Sequence, residues 1–506
     1  MGKNLKTGII MSYISMFSGI VISLLYTPVM LKYLGQQQYG LYNMAASVIS
    51  YLNLFDLGLG NAVVRYSTKY RISGQKEKTE YLYGMFLVLY LIIAGIIIFL
   101  GCILILNAES FFKVSTGATG VYELKIIMTI MIISLAIGFP GSVFCSIISS
   151  YERFTFLKIT GLVSTILNPI IMIPLLIMGY KAISVSCVAL FLNCFLIVTN
   201  IFYTVKILKI RFRFGKIDFS LLREIASYSF FIFVGAIVDQ LYWNTDKVVL
   251  GAVSGENMVA VYSIGSQIHT YYQQFSWAIS NVYFPRVTTM ITEKISHLEL
   301  NSFFKKIGRI QYQVLFLILT GFYIFGKEFI NWWSGPNYSE AYYIALIVIT
   351  PATIPLIQNM GVHIIQAMNK HVFRSICYLF IAMLNAFTSF LVAPKFGGIG
   401  CAVCTAVSLV IGHGILMNCY YRFKIGINIV QFWKEIGKIF ITFMPLVIVI
   451  LIANLFFVTD SFVLLVIKIV IYAIIYFIYA YLLVMNNEEK SMVNSCIKRF
   501  QGIIQC

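Results

Sequence analysis

The chain has 506 residues and a formal net charge of +18, from 37 Lys and Arg against 19 Asp and Glu. Hydrophobic residues make up 60% of it and charged residues 11%, and its mean hydropathy is +0.87. No soluble core could hide that much apolar surface, so a soluble globular enzyme is excluded and an integral membrane protein is implied.

Apolar stretches long enough to cross a bilayer recur about fourteen times, each near the roughly 20 residues that about 30 Å of hydrocarbon demands. In chain order they run near 8–33, 39–62, 81–106, 124–149, 157–179, 182–205, 225–250, 258–284, 308–331, 342–367, 375–394, 398–421, 437–457 and 463–485. Helices are the only reading, because lipid leaves every backbone polar group to be satisfied within its own segment. The ten-residue alternation of a membrane barrel is absent. With the N-terminus in the cytoplasm, 29 of the 37 Lys and Arg fall in cytoplasmic segments and 8 elsewhere. That bias fixes the expected orientation, with both termini inside, and explains the positive charge by loops on an anionic leaflet without any nucleic acid. Met1–Thr7 is short and polar and carries no cleavable signal pattern. Cys401 and Cys404 form a lone C-x-x-C inside a span, with no second ligand pair for a metal. No metal or cofactor is expected.

The second half of the pattern repeats the first. At a shift of 216 Gly19 meets Gly235, Leu25-Tyr26 meets Leu241-Tyr242, and Leu34-Gly35 meets Leu250-Gly251; at 217 Leu167-Asn168 meets Leu384-Asn385 and Ala189 meets Ala406. A repeat of six spans returns the chain to its starting side, so the copies are parallel, with a substrate route expected between the two bundles. The predicted organisation is a six-helix lobe over 1–206, a basic cytoplasmic connector over 207–224, a second six-helix lobe over 225–424, two additional helices over 425–485 and a cytoplasmic tail over 486–506. The fold class is therefore an all-α membrane protein of about 14 transmembrane helices.

Polar residues inside spans need a reason, because a charge at mid-bilayer costs roughly 3 kcal/mol even on lenient insertion scales. Span 8 carries Tyr262, Ser266, His269, Gln273, Ser276 and Ser280 on one helical face. Its repeat partner in span 2 reads Tyr42, Ala46, Ile49, Asn53, Asp56 and Gly60. Span 7 adds Asp239, Trp243 and Asp246, followed by Lys247. Such faces are expected to look into a wet cavity. Each residue keeps a bland alternative: Asp56 as a helix cap or loop partner, Asp246 and Lys247 as an interfacial ion pair, His269 as a packing histidine. Arg65 and Arg286 are repeat-related at the inner ends of spans 2 and 8, either as membrane anchors or as a basic vestibule for phosphate. Span 10 holds Pro351, Pro355, Gln358, Asn359 and His363, the composition of a bent or broken helix. The substrate-path candidates are Asp56, Arg65, Asp239, Asp246, Lys247, His269, Gln273, Arg286 and His363. No G-x-x-x-x-G-K-[ST] loop occurs, and no outer segment is large enough to hold a membrane polymerase's chemistry.

Several passages resemble polysaccharide flippases of the Wzx type, in the multidrug/oligosaccharidyl-lipid/polysaccharide (MOP) exporter superfamily. They are Tyr26-Thr-Pro28, Leu34-Gly35, Tyr39-Gly-Leu-Tyr42, Leu54-Phe-Asp56-Leu-Gly58-Leu through Arg65-Tyr66, Tyr151-Glu152-Arg153, Asn244-x-Asp246-Lys247, Trp333-x-Gly335 and Phe396-Gly-Gly-Ile-Gly400-Cys-Ala402. The likeness covers about residues 1–430. It implies alternating access of a polar cleft between the lobes and transfer of undecaprenyl-diphosphate-linked oligosaccharide repeat units from the inner to the outer leaflet of a bacterial plasma membrane, for capsule, exopolysaccharide or O-antigen. It implies coupling to an H+ or Na+ gradient, a polyprenyl-diphosphate-linked glycan as substrate and a glycan polymerase or chain-length regulator as partner. A teichoic-acid or lipid II flippase, a cation-coupled multidrug antiporter and a membrane glycan polymerase are the alternative readings.

Overall fold

A computed structural model describes residues 2–112, 118–215, 219–368, 370, 372–457 and 461–504. Lys113 and Lys216, which entered the orientation argument, lie outside them. Among the described residues the chain is helical without strands. Ten stretches of the described residues are long and apolar enough to cross a membrane. Two of these, Tyr13–Ile72 of 60 residues and Val372–Ile425 of 54, far exceed the length of one crossing. Each bends at a glycine. Helix α1 (Gly2–Ser50) turns at Gly35 with φ 73°, and a later helix, Val372–Leu409, turns at Gly397 with φ 54°. Only glycine enters that left-handed region without a Cβ clash, so each bend sits where the sequence permits it.

Contacts gather the chain into two compact units, Met1–Ile264 with Ser375–Cys401, and Gly265–Arg374 with Ala402–Cys506. In the first unit, α1 is followed by a tight turn over Tyr51–Asp56 and by α2 (Leu59–Ile72). Then come α3 (Lys76–Leu106), α4 (Ala118–Ser150), α5 (Phe154–Ile177) and α6 (Ala182–Phe202). The α4 helix packs on both α3 and α6, and α1 packs on α5. The basic connector runs back along α3: the Arg213 N–H donates to the Glu80 carbonyl at 3.1 Å, and its guanidinium lies 3.0 Å from Glu77. Helix α7 (Phe219–Trp243) breaks at Asn244 before α8 (Thr245–Val253), so the expected seventh span is interrupted. The α8 helix and the start of α9 (Glu256–Thr292) belong to this unit and tie to α1. Gln37 Nε2 donates to the buried Glu256 at 3.3 Å, and Tyr51 and Thr245 share a hydroxyl–hydroxyl bond of 2.5 Å.

The second unit is built on α10 (His297–Trp333), begun by a Ser296 cap that accepts from the Glu299 N–H at 3.3 Å. Against it pack α11 (Glu340–Ile357), α14 (Ile429–Phe456) and α15 (Phe462–Tyr479). The ladder breaks at Gln358, after Pro351 and Pro355, before α12 (Asn359–Ala367). The glycine-bent helix Val372–Leu409 is α13, of which Ser375–Cys401 belongs to the first unit, and Asn487–Ile504 is α16. A charge cluster fastens the start of α16. Arg309 lies 2.9 Å from Glu489 and 3.1 Å from Glu435, and Gln313 donates to Glu489 at 3.2 Å. Glu489 is 4% exposed and also accepts from the Asn486 N–H, so its buried charge is fully occupied.

Candidate substrate cavity

The tight turn after α1 creates the site. Leu57 and Gly58 both take left-handed backbone, φ 50° and 73°, which stops the helical ladder before α2 starts at Leu59. A leucine there carries a cost of order 1 kcal/mol, so the surrounding structure must hold it. Asp56 supplies part of that hold. Its carboxylate accepts from the backbone N–H groups of Gly58 and Gly60 and from the Tyr90 hydroxyl at 2.7 Å. It caps the new helix, whose first N–H groups have no partner within the helix. The expected second span thus continues past its predicted end to Ile72, and Asp56 stands at a mid-span break.

Beside this break lies a cavity of about 570 Å³, wholly within the first unit. One wall is the predicted stripe of span 2: Tyr42, Ala46, Ile49, Asn53 and Asp56, with Ser50. Helix α4 contributes Ser134, Gly138, Phe139 and Ser142, and α6 contributes Ser186, Ala189 and Asn193. Asn193 Nδ2 donates to the Ser134 carbonyl at 2.8 Å and to its hydroxyl at 3.1 Å, which leaves its amide oxygen as an acceptor on the wall. Ser50 donates to Gln240 at 3.0 Å. Asp56 is the one charged side chain of the lining, and none is basic.

A second cavity, of about 680 Å³, lies wholly within the second unit. Its lining includes Ile347, Thr350, Pro351 and Ile354, at the same spacing as Met131, Ser134, Leu135 and Gly138 and offset from them by 216. Ala406 and Val410 match Ala189 and Asn193 at an offset of 217. These are the offsets of the sequence duplication. The two cavities are repeat-related, yet the first carries amides, hydroxyls and a carboxylate among its apolar lining while the second, Tyr323 and Thr350 apart, is aliphatic.

Of the predicted path residues, Asp56 lines the polar cavity. Arg65 is exposed on α2, its guanidinium 5.9 Å from the Tyr66 ring. Asp239 is exposed on α7. Asp246 is 1% exposed and accepts a hydrogen bond from Tyr262, with Lys247 half-buried beside it. In the second unit His269 is 3% exposed and Gln273 half-buried. Arg286 is exposed with its guanidinium 5.3 Å from the Phe303 ring, and the His363 ring lies 4.7 Å from that of Phe284. The lower part of the span-8 stripe is packed against helices. Ser276 donates to the Leu356 carbonyl at 2.7 Å and accepts from Asn359 at 2.9 Å and Gln311 at 3.2 Å. Sequence reasoning missed Asn193, Ser134, Ser142 and Tyr90. Their signal was present as Ser134, Gly138 and Ser142 at steps of four, and as Ser186 and Asn193 at a step of seven. Among the described residues no group of three or more His, Cys, Asp and Glu is placed to hold a metal.

Residues 5–291 match the family described as "Polysaccharide biosynthesis protein". Among solved structures, the lipid II flippase MurJ in an inward closed conformation is similar at a TM-score of 0.73 and 16% identity, over 93% of this chain and 98% of that one. A multidrug resistance MATE family transporter of the MOP superfamily in an inward-facing conformation is similar at 0.60 and 14%, over 82% and 96%. A MOP superfamily transporter from Pyrococcus furiosus is similar at 0.57 and 13%, over 80% and 94%. At these identities the likeness is one of fold. No curated protein sequence matches.

Proposed function

We propose, from the premise that this chain belongs to the polysaccharide biosynthesis protein family, that it is a flippase carrying polyprenyl-diphosphate-linked oligosaccharide repeat units from the inner to the outer leaflet of a bacterial plasma membrane. The multi-pass helical architecture and the MOP-superfamily fold stand independently of that reading.

One observation carries the proposal: a polar cavity of about 570 Å³ inside a unit of apolar membrane helices. A glycan headgroup cannot cross hydrocarbon bare, because each hydroxyl left without a partner costs several kcal/mol. Asn53 and Ser134 offer donors there, and the oxygens of Asn193 and Ser142, whose own donors are spent on Ser134 and on the Phe139 carbonyl, offer acceptors in place of water. The diphosphate is met outside this cavity by exposed guanidinium groups such as Arg65, which can bind it bidentately.

The test is translocation by the full chain in sealed vesicles. A fluorescent lipid-linked oligosaccharide placed in one leaflet should become accessible to a membrane-impermeant glycosidase on the other side, and Asp56→Ala should slow that exposure. Equal rates in protein-free vesicles would refute the reading, and transfer of lipid II alone would replace it with that alternative. Coupling to an H+ or Na+ gradient is part of the same proposal. Dissipating each gradient separately should slow transfer for the coupled ion only, and no effect from either removes coupling.

A further inference from the structure

The polar cavity also bears on which sugars are carried. Resting on the flippase reading, we infer that it receives an uncharged or amino sugar unit of the cargo and discriminates against acidic sugars.

Size comes first. About 570 Å³ far exceeds a bare cation and lies within the range of small-molecule pockets. Chemistry comes second. The wall mixes amides and hydroxyls, groups that both donate and accept, as sugar hydroxyls do. Charge comes third. Asp56 is the one ionisable acid in the lining and no basic side chain accompanies it. A hexuronate would therefore bring a second carboxylate beside the first, in a membrane interior that screens poorly. Asp56 does not need a cation to balance it. The first N–H groups of α2 and the Tyr90 hydroxyl already face it.

The repeat shows how the polar wall is made. At matched positions of the second unit, Gly138 is replaced by Ile354 and Asn193 by Val410. The same scaffold position thus tolerates aliphatic side chains. In the first unit Gly138 makes room for the Asn193 amide, whose Nδ2 ties α6 to Ser134 of α4 while its oxygen faces the cavity, so the same packing that joins the helices leaves an acceptor for a ligand.

The experiment is calorimetric binding to the full chain in lipid nanodiscs. The probes are N,N′-diacetylchitobiose, which is neutral, and glucuronyl-N-acetylglucosamine, which carries one carboxylate. The neutral disaccharide should bind about tenfold tighter, the discrimination expected of one like-charge pair in a partly desolvated site. Asp56→Asn keeps a capping side chain, and it should narrow the gap to about threefold or less by strengthening uronate binding. Asn193→Val, which installs the residue of the aliphatic counterpart, should weaken neutral-sugar binding about fivefold by leaving a sugar hydroxyl unpaired. Equal binding of the two probes by the unaltered chain, no heat from either, or an unchanged preference in a folded Asp56→Asn protein each overturns the inference. Saturable Na+ binding or proton uptake at Asp56 without sugar binding also overturns it, in favour of a cation site. The vesicle translocation assay is read separately. Sugar preference without translocation removes the flippase reading, and translocation without preference removes this inference alone.

Discussion

Two cavities at corresponding positions of a duplicated chain have taken opposite chemistries. In the first unit Ser134, Gly138 and Asn193 leave a polar space with a carboxylate at its edge; in the second, Thr350, Ile354 and Val410 make it aliphatic. The units also differ in whether a charged side chain lines the cavity. The first sets the half-buried Asp56 at a helix break beside its cavity, satisfied by N–H groups and a tyrosine, and buries Asp246 and Glu256 outside that lining. The second holds the buried Glu489, with the half-buried Arg309 and Glu435, where α10, α14 and α16 meet, away from its cavity lining. A duplication supplies the same backbone twice. A few side chains per copy then decide whether the space between helices is lined by polar or by aliphatic groups.

This contrast can be broken by mutation. The largest effect is expected from Arg309→Met, which leaves the nearly buried Glu489 without its cation. The cost is about 3 kcal/mol, the usual penalty for breaking a buried pair, and a lowered thermal midpoint of the purified protein measures it. Little change would mean that the cluster is solvated and that the second unit has no buried charge to contrast. Next is Asp56→Ala. It removes the cap of α2 and the acceptor for Tyr90, for about 1 kcal/mol of stability, and should lower vesicle translocation more than stability alone accounts for. Stability loss with full translocation would reduce Asp56 to a cap.

Val410→Asn tests the other side of the comparison. It places the amide of the polar cavity in the aliphatic one, where few partners await it, at a cost of about 1 kcal/mol. An unchanged midpoint would mean that water already fills that groove.

The smallest effect concerns Glu488, fully exposed on α16. Lys306, 2.7 Å away, holds its carboxyl below the usual carboxylate range by hydrogen bond and charge. A lowered value in the folded state means that the contact helps at pH above the ordinary carboxylate range and is lost as pH falls through the lowered value. Spectroscopic labels on α16 should report weaker docking under acid, and Glu488→Gln should flatten that dependence. The same profile in both proteins would assign the effect to the Arg309 cluster instead.

Much of the polar wall could be read in the sequence. Tyr42, Ala46, Ile49, Asn53 and Asp56 share one face at helical spacing, and that face lines the cavity. The matching stripe of span 8 follows the same rule, yet its lower end is spent on packing, where Ser276 binds α11 and α12. Periodicity identifies a face but not what the face meets. Asn193 and Ser134 went unnoticed for the same reason: they lie 59 residues apart and bond to each other only because α4 and α6 pack together.

The chain's own composition and spacing settled its solvent, its helical class, its duplication and the polar stripe of its second span. Those depend on burial and periodicity, which are properties of local sequence. Folding in three dimensions decided that Asp56 caps a broken helix, that α4 and α6 complete the cavity, and that the repeat-related space is greasy. Each of these depends on which distant helices touch, and the energy of a buried polar group is set by the neighbour it finds rather than by its place in the chain.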